Sequence, residues 1–283
     1  MVKILSDSTC DLSKELTERY NIGIIPLHVY LGEDEFLDGV NIIPDKLYEW
    51  SDANGATPRT SAPSIEDVED VYRNYLDRGD DLVVFTISAS MSASNNVCKL
   101  AAQALDAEDR VTVIDSENLS TGIGHLVIEA AELAMQGKTM KEIEAEVLRL
   151  RPLVRASFVV DTLVYLHRGG RCSGLSAMLG SVLKLHPRIV VENGAMYSDK
   201  KYRGTLESVI VNYTRDKYPD LNTAKPDRVF ITHSGCSDEV VAEVKKLLEE
   251  TAHFKEILIT RAGCVVSSHC GPGTLGVLYI AAQ

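Results

Sequence analysis

The chain has 283 residues, 45% hydrophobic and 25% charged, and its 29 Lys and Arg against 41 Asp and Glu leave a net charge of −12. That length is comfortable for two cores, and the acidic balance argues against a nucleic-acid partner, whose phosphates would be repelled overall. No apolar run reaches the roughly 18 residues of a membrane span, and "MVKILSDSTC" lacks a secretion-signal pattern, so the expected compartment is the cytoplasm.

In chain order, short β-rich runs alternate with helical stretches. "VKIL" (2–5) leads into "SDST", and "IGIIPLHVYL" (22–31) reads as a second strand. "DLVVFTIS" (81–88) precedes a Ser-rich turn and the helical "NNVCKLAAQAL" (95–105). "RVTVIDS" (110–116) precedes "TGIGHLVIEAAELAMQG" (121–137). Near-continuous Val/Ile runs between helices indicate a mostly parallel sheet buried on both faces. Ser64 with Asp67, and Thr139 with Glu142, have the spacing of helix N-termini. Pro152 should end the helix that runs from Thr139 to Leu150, which places a domain boundary there.

Beyond it, "SFVVDTLVYL" (157–166) resumes the pattern, "GGRCSG" interrupts it, and Asn193-Gly194 suits a tight hairpin turn within "RIVVENGAMYS". "TLESVIVNYTRDKY" (205–218) and "DEVVAEVKKLLEET" (238–251) read as helices, and "RVFITHSG" (228–235), "EILITRAG" (256–263) and "TLGVLYIA" (274–281) as strands. The expected fold class is therefore α/β with two α/β domains, 1–152 and 153–283, the first sheet mostly parallel and the second mixed.

Strand ends repeatedly deliver short polar residues: "ILSDST", "FTISAS", "VIDSEN" and "FITHSG". Each suits a helix cap, but the recurrence predicts one shared polar crevice at the carboxyl ends of the strands. "SSHCGPGTLG" (267–276) adds a His beside a Cys. Neighbours on an extended chain point apart, so His269 and Cys270 are not expected to work as a pair. A Ser–His hydrolase with Ser92 or Ser61 meeting His269 is one alternative, although no G-x-S-x-G elbow occurs. "GPGTLG" has phosphate-loop spacing, but Pro272 removes an N–H and a strand follows, leaving a small-anion or nucleotide module as a weaker alternative.

The six cysteines, Cys10, Cys98, Cys172, Cys236, Cys264 and Cys270, form no C-x-x-C and read as small core residues. No metal-ligand spacing occurs. His28 and His125 lie in apolar stretches and read as structural, while His253 reads as exposed. Arg168 and Arg171 flank Gly169-Gly170, and Lys200, Lys201 and Arg203 form a second basic cluster. Such islands are either solvated faces or a docking patch for an acidic partner.

Six stretches in order resemble the DegV family, the fatty-acid-binding proteins that include the B component of bacterial fatty acid kinase. They are "SDSTCDL" (6–12), "TSAPS" (60–64), "SASMSAS" (88–94), "VIDSENLSTGIG" (113–124), "DTLVYLHRGGR" (161–171) and "HCGPGTLGVLY" (269–279). The resemblance implies a lipid site between two α/β domains. The protein itself would be non-catalytic and without a cofactor, binding a long-chain fatty acid and presenting its carboxylate to a partner fatty acid kinase that makes the acyl phosphate. By the matching motifs, Thr60, Ser61, Ser92 and His269 would bind the carboxylate, and Arg168, Arg171 and Arg203 would face the kinase. No nucleic acid and no transmembrane segment are expected, with membrane contact limited to a transient surface encounter. Ile24, Ile25 and Leu27 are expected to furnish tunnel wall. The chain departs from the family pattern at Ala93, Ser94 and Asn95, at His186, and at Cys172.

Overall fold

The computed structural model describes residues 1–171, 185–251 and 253–282. In the first half, β1 (Val2–Asp7) is followed by a 3-10 turn (Ser8–Cys10), α1 (Lys14–Arg19), β2 (Gly23–Ile25), β3 (His28–Leu31), β4 (Asp34–Leu37), α2 (Pro44–Asn54) and β5 (Arg59–Ser61). Then come α3 (Ile65–Leu76), β6 (Asp81–Thr86), α4 (Ser94–Ala104), β7 (Val111–Asp115), α5 (Thr121–Met135) and α6 (Met140–Leu150). The second half holds β8 (Val154–Val159), α7 (Val164–Gly169), β9 (Leu185–Glu192), β10 (Ala195–Arg203), α8 (Leu206–Asp216) and α9 (Tyr218–Leu221). It ends with β11 (Ala224–His233), α10 (Asp238–Glu250), β12 (Glu256–Arg261), α11 (Cys264–Cys270) and β13 (Leu275–Ala281).

The first sheet has the order β2-β1-β6-β7 and is parallel throughout. The second has the order β10-β9-β8-β13-β11-β12; only β11 and β12 pair in parallel. Both match the sequence reading. Ser64 and Thr139 form full capping boxes with Asp67 and Glu142. Asn193 and Gly194 turn β9 into β10 with φ of 49° and 78°. Pro152 sits in a 3-10 turn directly after α6.

One expected strand is in fact two. Pro26 splits "IGIIPLHVYL", because proline supplies no ladder N–H. β2 joins the parallel sheet, whereas β3 joins a small antiparallel sheet of order β4-β3-β5. This third sheet brings β5, with Thr60 and Ser61, beside β3 in the register His28 to Ser61 and Val29 to Thr60.

The strands of the first sheet precede residue 116 and those of the second follow residue 153. Their apolar surfaces nevertheless merge. Ile4, Phe85 and Ile114 from the first sheet share a buried cluster with Phe158, Ile189, Phe230 and Leu278 from the second, and Ile123, Leu126 and Val127 of α5 lie in the same cluster. α11, from the far end of the chain, packs on α2, β3 and β5 in the first half. No helix among the described residues is long and apolar enough to cross a membrane.

Candidate functional site

A cavity of about 300 Å³ opens between residues of both halves. Its apolar wall is Leu27, Ile87, Met91, Leu119, Met196, Val265 and Val266, with Cys270 alongside. Thr60, Ser61, Ser92, Arg171 and His269 are its polar lining. All four expected anion-binding residues therefore reach one cavity, although Thr60 and His269 are 209 positions apart in the chain. A more open groove of about 580 Å³ adjoins it, sharing Thr60, Arg171 and His269 and adding Arg59 and Arg168.

His269 stands in the last turn of α11, so the chain here is helical and not extended as expected. Successive helix residues diverge by about 100°, which lets both His269 and Cys270 line the same cavity. His269 Nε2 lies 2.8 Å from Thr60 Oγ1. Its Nδ1 is buried without a hydrogen-bond partner among the described residues. Gly169 faces that nitrogen so closely that a Cβ there would stand 2.4 Å from it; only glycine leaves room for the ring. Burial, and then the positive charge of Arg171, push the imidazole down to about 4, so it is neutral at pH 7.

The hydroxyls are less uniform. Ser92 Oγ accepts from Ser94 N and lies 2.8 Å from Ser94 Oγ at the start of α4. Ser61 is exposed, and its Oγ donates to Ala62 O. Among the described residues neither pairs with His269 and no carboxylate orients Nδ1, so a Ser–His–carboxylate triad is not assembled around them. The departures near Ser92 are accommodated: Ala93 has ordinary right-handed helical angles (φ −76°), and buried Asn95 donates to Thr86 Oγ1. His186 is buried with Nδ1 3.1 Å from Val160 O. Cys172 lies outside the described residues; of the other cysteines only Cys236 is not buried.

Arg168 and Arg171 are exposed at the mouth, where Arg168 donates to Thr57 Oγ1 and Arg171 to Gly169 O. Arg203, exposed at the end of β10, lines neither cavity. Of the three residues expected in the tunnel wall, only Leu27 is there. Ile25 packs in the core between the first sheet and α3, because Pro26 redirects the chain after it.

The recurring polar strand ends do not form one crevice. Asp7 accepts from Ile87 N and Thr9, Asp115 from Ala89 N and Glu117 N, and Ser88 donates to Gly194 O. Ser234 donates to Gly271 O. These groups stitch loops together, because a buried loop must pair its backbone atoms internally. His28 bridges Glu35 and Asp67, in keeping with its structural reading, whereas His253 is half-buried against Ala224 O rather than exposed. The wall residues Met91, Met196 and Leu119 had no expectation attached; Met at a flexible wall is a weak signal that only the fold makes legible.

The fold and cavity define an α/β protein of two large sheets and one small one, with a mainly apolar pocket whose polar side groups are few. A DegV family model matches residues 1–282, and the chain belongs to the DegV family. A DegV domain-containing protein of Clostridium perfringens is 30% identical, the match covering 99% of this chain and 98% of that one. A DegV family protein from Thermus thermophilus, whose structure is described as showing fatty acid binding, superposes with a TM-score of 0.90 at 32% identity over 99% of both chains. A stearic-acid-binding protein from Eubacterium ventriosum gives 0.85 at 28% identity over 99% of this chain and 98% of that one.

Proposed function

We propose that this protein binds a long-chain fatty acid, with the acyl chain along the apolar wall and the carboxylate at Thr60, Ser61, Ser92 and His269. The observation that carries the reading is the cavity itself: an apolar wall with hydroxyls, one neutral imidazole and the exposed Arg171 guanidinium at its mouth as donors. The Thermus and Eubacterium relatives, which bind such ligands, support it. Burying about 14 methylenes is worth roughly 11 kcal/mol gross, from which association takes back several. An unpaired carboxylate in a dry site is costly, and hydroxyls and imidazole satisfy it without a direct ion pair.

The bound carboxylate is then offered to a partner fatty acid kinase, which converts it to the acyl phosphate, with Arg168, Arg171 and Arg203 on the docking face. In this reading the protein is a non-catalytic, cytoplasmic lipid carrier without a cofactor, built of domains 1–152 and 153–283 with the ligand between them. Native mass spectrometry of protein purified from bacteria tests the first part. A co-purified mass near a C14–C18 acid supports it; a protein that stays empty after incubation with oleate or palmitate refutes it. Incubating loaded protein with a candidate kinase and ATP tests the second. Acyl phosphate formed only when this protein is present supports presentation.

A further inference from the structure

α11 starts at Gly263, which has no side chain to cap it. The first half of the chain supplies the cap instead. Gly263 N donates to Asp11 Oδ1 at 2.8 Å, and Cys264 N donates to Asp38 Oδ1 at 2.7 Å. Both carboxylates are buried, 5% and 2% exposed, so their bonds are made almost wholly out of water. Their second oxygens hold two more pieces of the cavity. Ser120 Oγ donates to Asp11 Oδ2, beside wall residue Leu119. Ser8 Oγ donates to Asp38 Oδ2 and accepts from the backbone N–H of wall residue Leu27.

The fit around α11 is tight. A Cβ on Gly263 would lie 3.1 Å from both Asp38 carboxylate oxygens and 3.3 Å from Asp11 Oδ1. Asp11 and Ser120 both hold left-handed φ values, 51° and 52°, which non-glycine residues seldom adopt. Two uncommon backbone conformations thus meet in one side-chain hydrogen bond. From this hub α11 runs a turn and a half to His269, and the thiol of Cys264 in its first turn also bonds Asp38.

We propose that Asp11 and Asp38 are positioning residues of the ligand site: together they fix the start of α11 and thereby where His269 stands against Thr60. Either protonation state can accept an N–H, so the asparagine isosteres preserve the cap while alanine removes it. The inference rests on the carboxylate reading of the cavity for its affinity test, and on the geometry alone for its spectroscopic one.

The affinity test compares palmitate with 1-hexadecanol, which has the same chain length but no carboxylate. His269→Ala reports the full headgroup preference. Asp11→Ala, Asp38→Ala and Gly263→Ala are expected to reduce the acid-over-alcohol preference about tenfold, while Asp11→Asn and Asp38→Asn retain it. Unchanged preference in folded alanine variants overturns the proposal, as does equal loss in the asparagine variants. Should Asp11→Ala not fold, Asp38→Ala and the crowding Gly263→Ala carry the comparison. If His269→Ala keeps the full preference, the carboxylate reading fails. The imidazole NMR resonances of His269 then decide separately. Displaced resonances in Asp38→Ala support positioning, and unmoved ones overturn it.

Discussion

The core around His125 and the cavity around His269 use one side chain in two settings. Both rings are held neutral by burial, His125 pushed down to about 3 and His269 to about 4, and both have a buried Nδ1 with no partner among the described residues. His125 lies wholly inside, edge-on to Phe230, with Nε2 3.0 Å from Leu278 O. A carbonyl only accepts, so that contact puts the proton on Nε2 permanently. His269 meets a hydroxyl, which both donates and accepts, so its ring keeps a choice of tautomer. It also borders a cavity, where His125 borders only packed atoms. What separates the structural His125 from His269, the proposed ligand-binding one, is the partner's chemistry and the space beside it.

The contrast breaks most visibly through stability. His125→Ala removes a packed ring and its hydrogen bond to Leu278 O, so the unfolding free energy should fall by about 2–5 kcal/mol in urea titrations. A loss well under 1 kcal/mol would mean that His125 is not structural. His269→Ala should do the reverse, lowering stability little but weakening palmitate binding about tenfold or more by calorimetry. Ser92→Ala should give a smaller, few-fold loss, because its Oγ already pairs with Ser94. Affinity unchanged in both variants would dissolve the contrast.

The buried acids extend the comparison to pH. Burial pushes Asp11 up to about 8, well above its unfolded value near 4. Between about pH 7 and 8 both histidines are neutral when folded and mostly neutral when unfolded, while Asp11 keeps its proton only when folded. Stability should therefore fall as pH rises through this window, and Asp11→Asn should flatten the slope. Above about 8, Lys217, which burial lowers to that value, acts in the opposite direction. Melting temperatures across the window check the sign; a rising curve contradicts it. The smallest effect is expected at exposed Arg203: Arg203→Ala should leave palmitate affinity unchanged and lower acyl phosphate formation by a cognate kinase only a few-fold. Equal throughput would remove Arg203 from the docking face.

Much of the architecture was legible in the sequence because it is local. Val/Ile runs marked both large sheets, Ser64 and Thr139 announced their helices, and Asn193-Gly194 announced its hairpin. No element was expected between 32 and 59, although Pro44 at the start and Gly55 at the end of α2 are the usual brackets of a helix. The polar strand ends misled because their residue types are those of a binding crevice, while in the folded chain they pair with nearby backbone.

Periodicity and turn chemistry act between neighbours in the chain, so the order and type of most elements followed from residue order, and six ordered motifs carried the family. Only the tertiary structure decided what stands beside what: Thr60 against His269, Gly169 against the orphan Nδ1, and Asp11 and Asp38 at the start of α11. Those contacts span a hundred residues or more, and the burial they create sets the protonation of the groups involved. Neither follows from spacing along a chain, because both depend on which distant surfaces exclude water together.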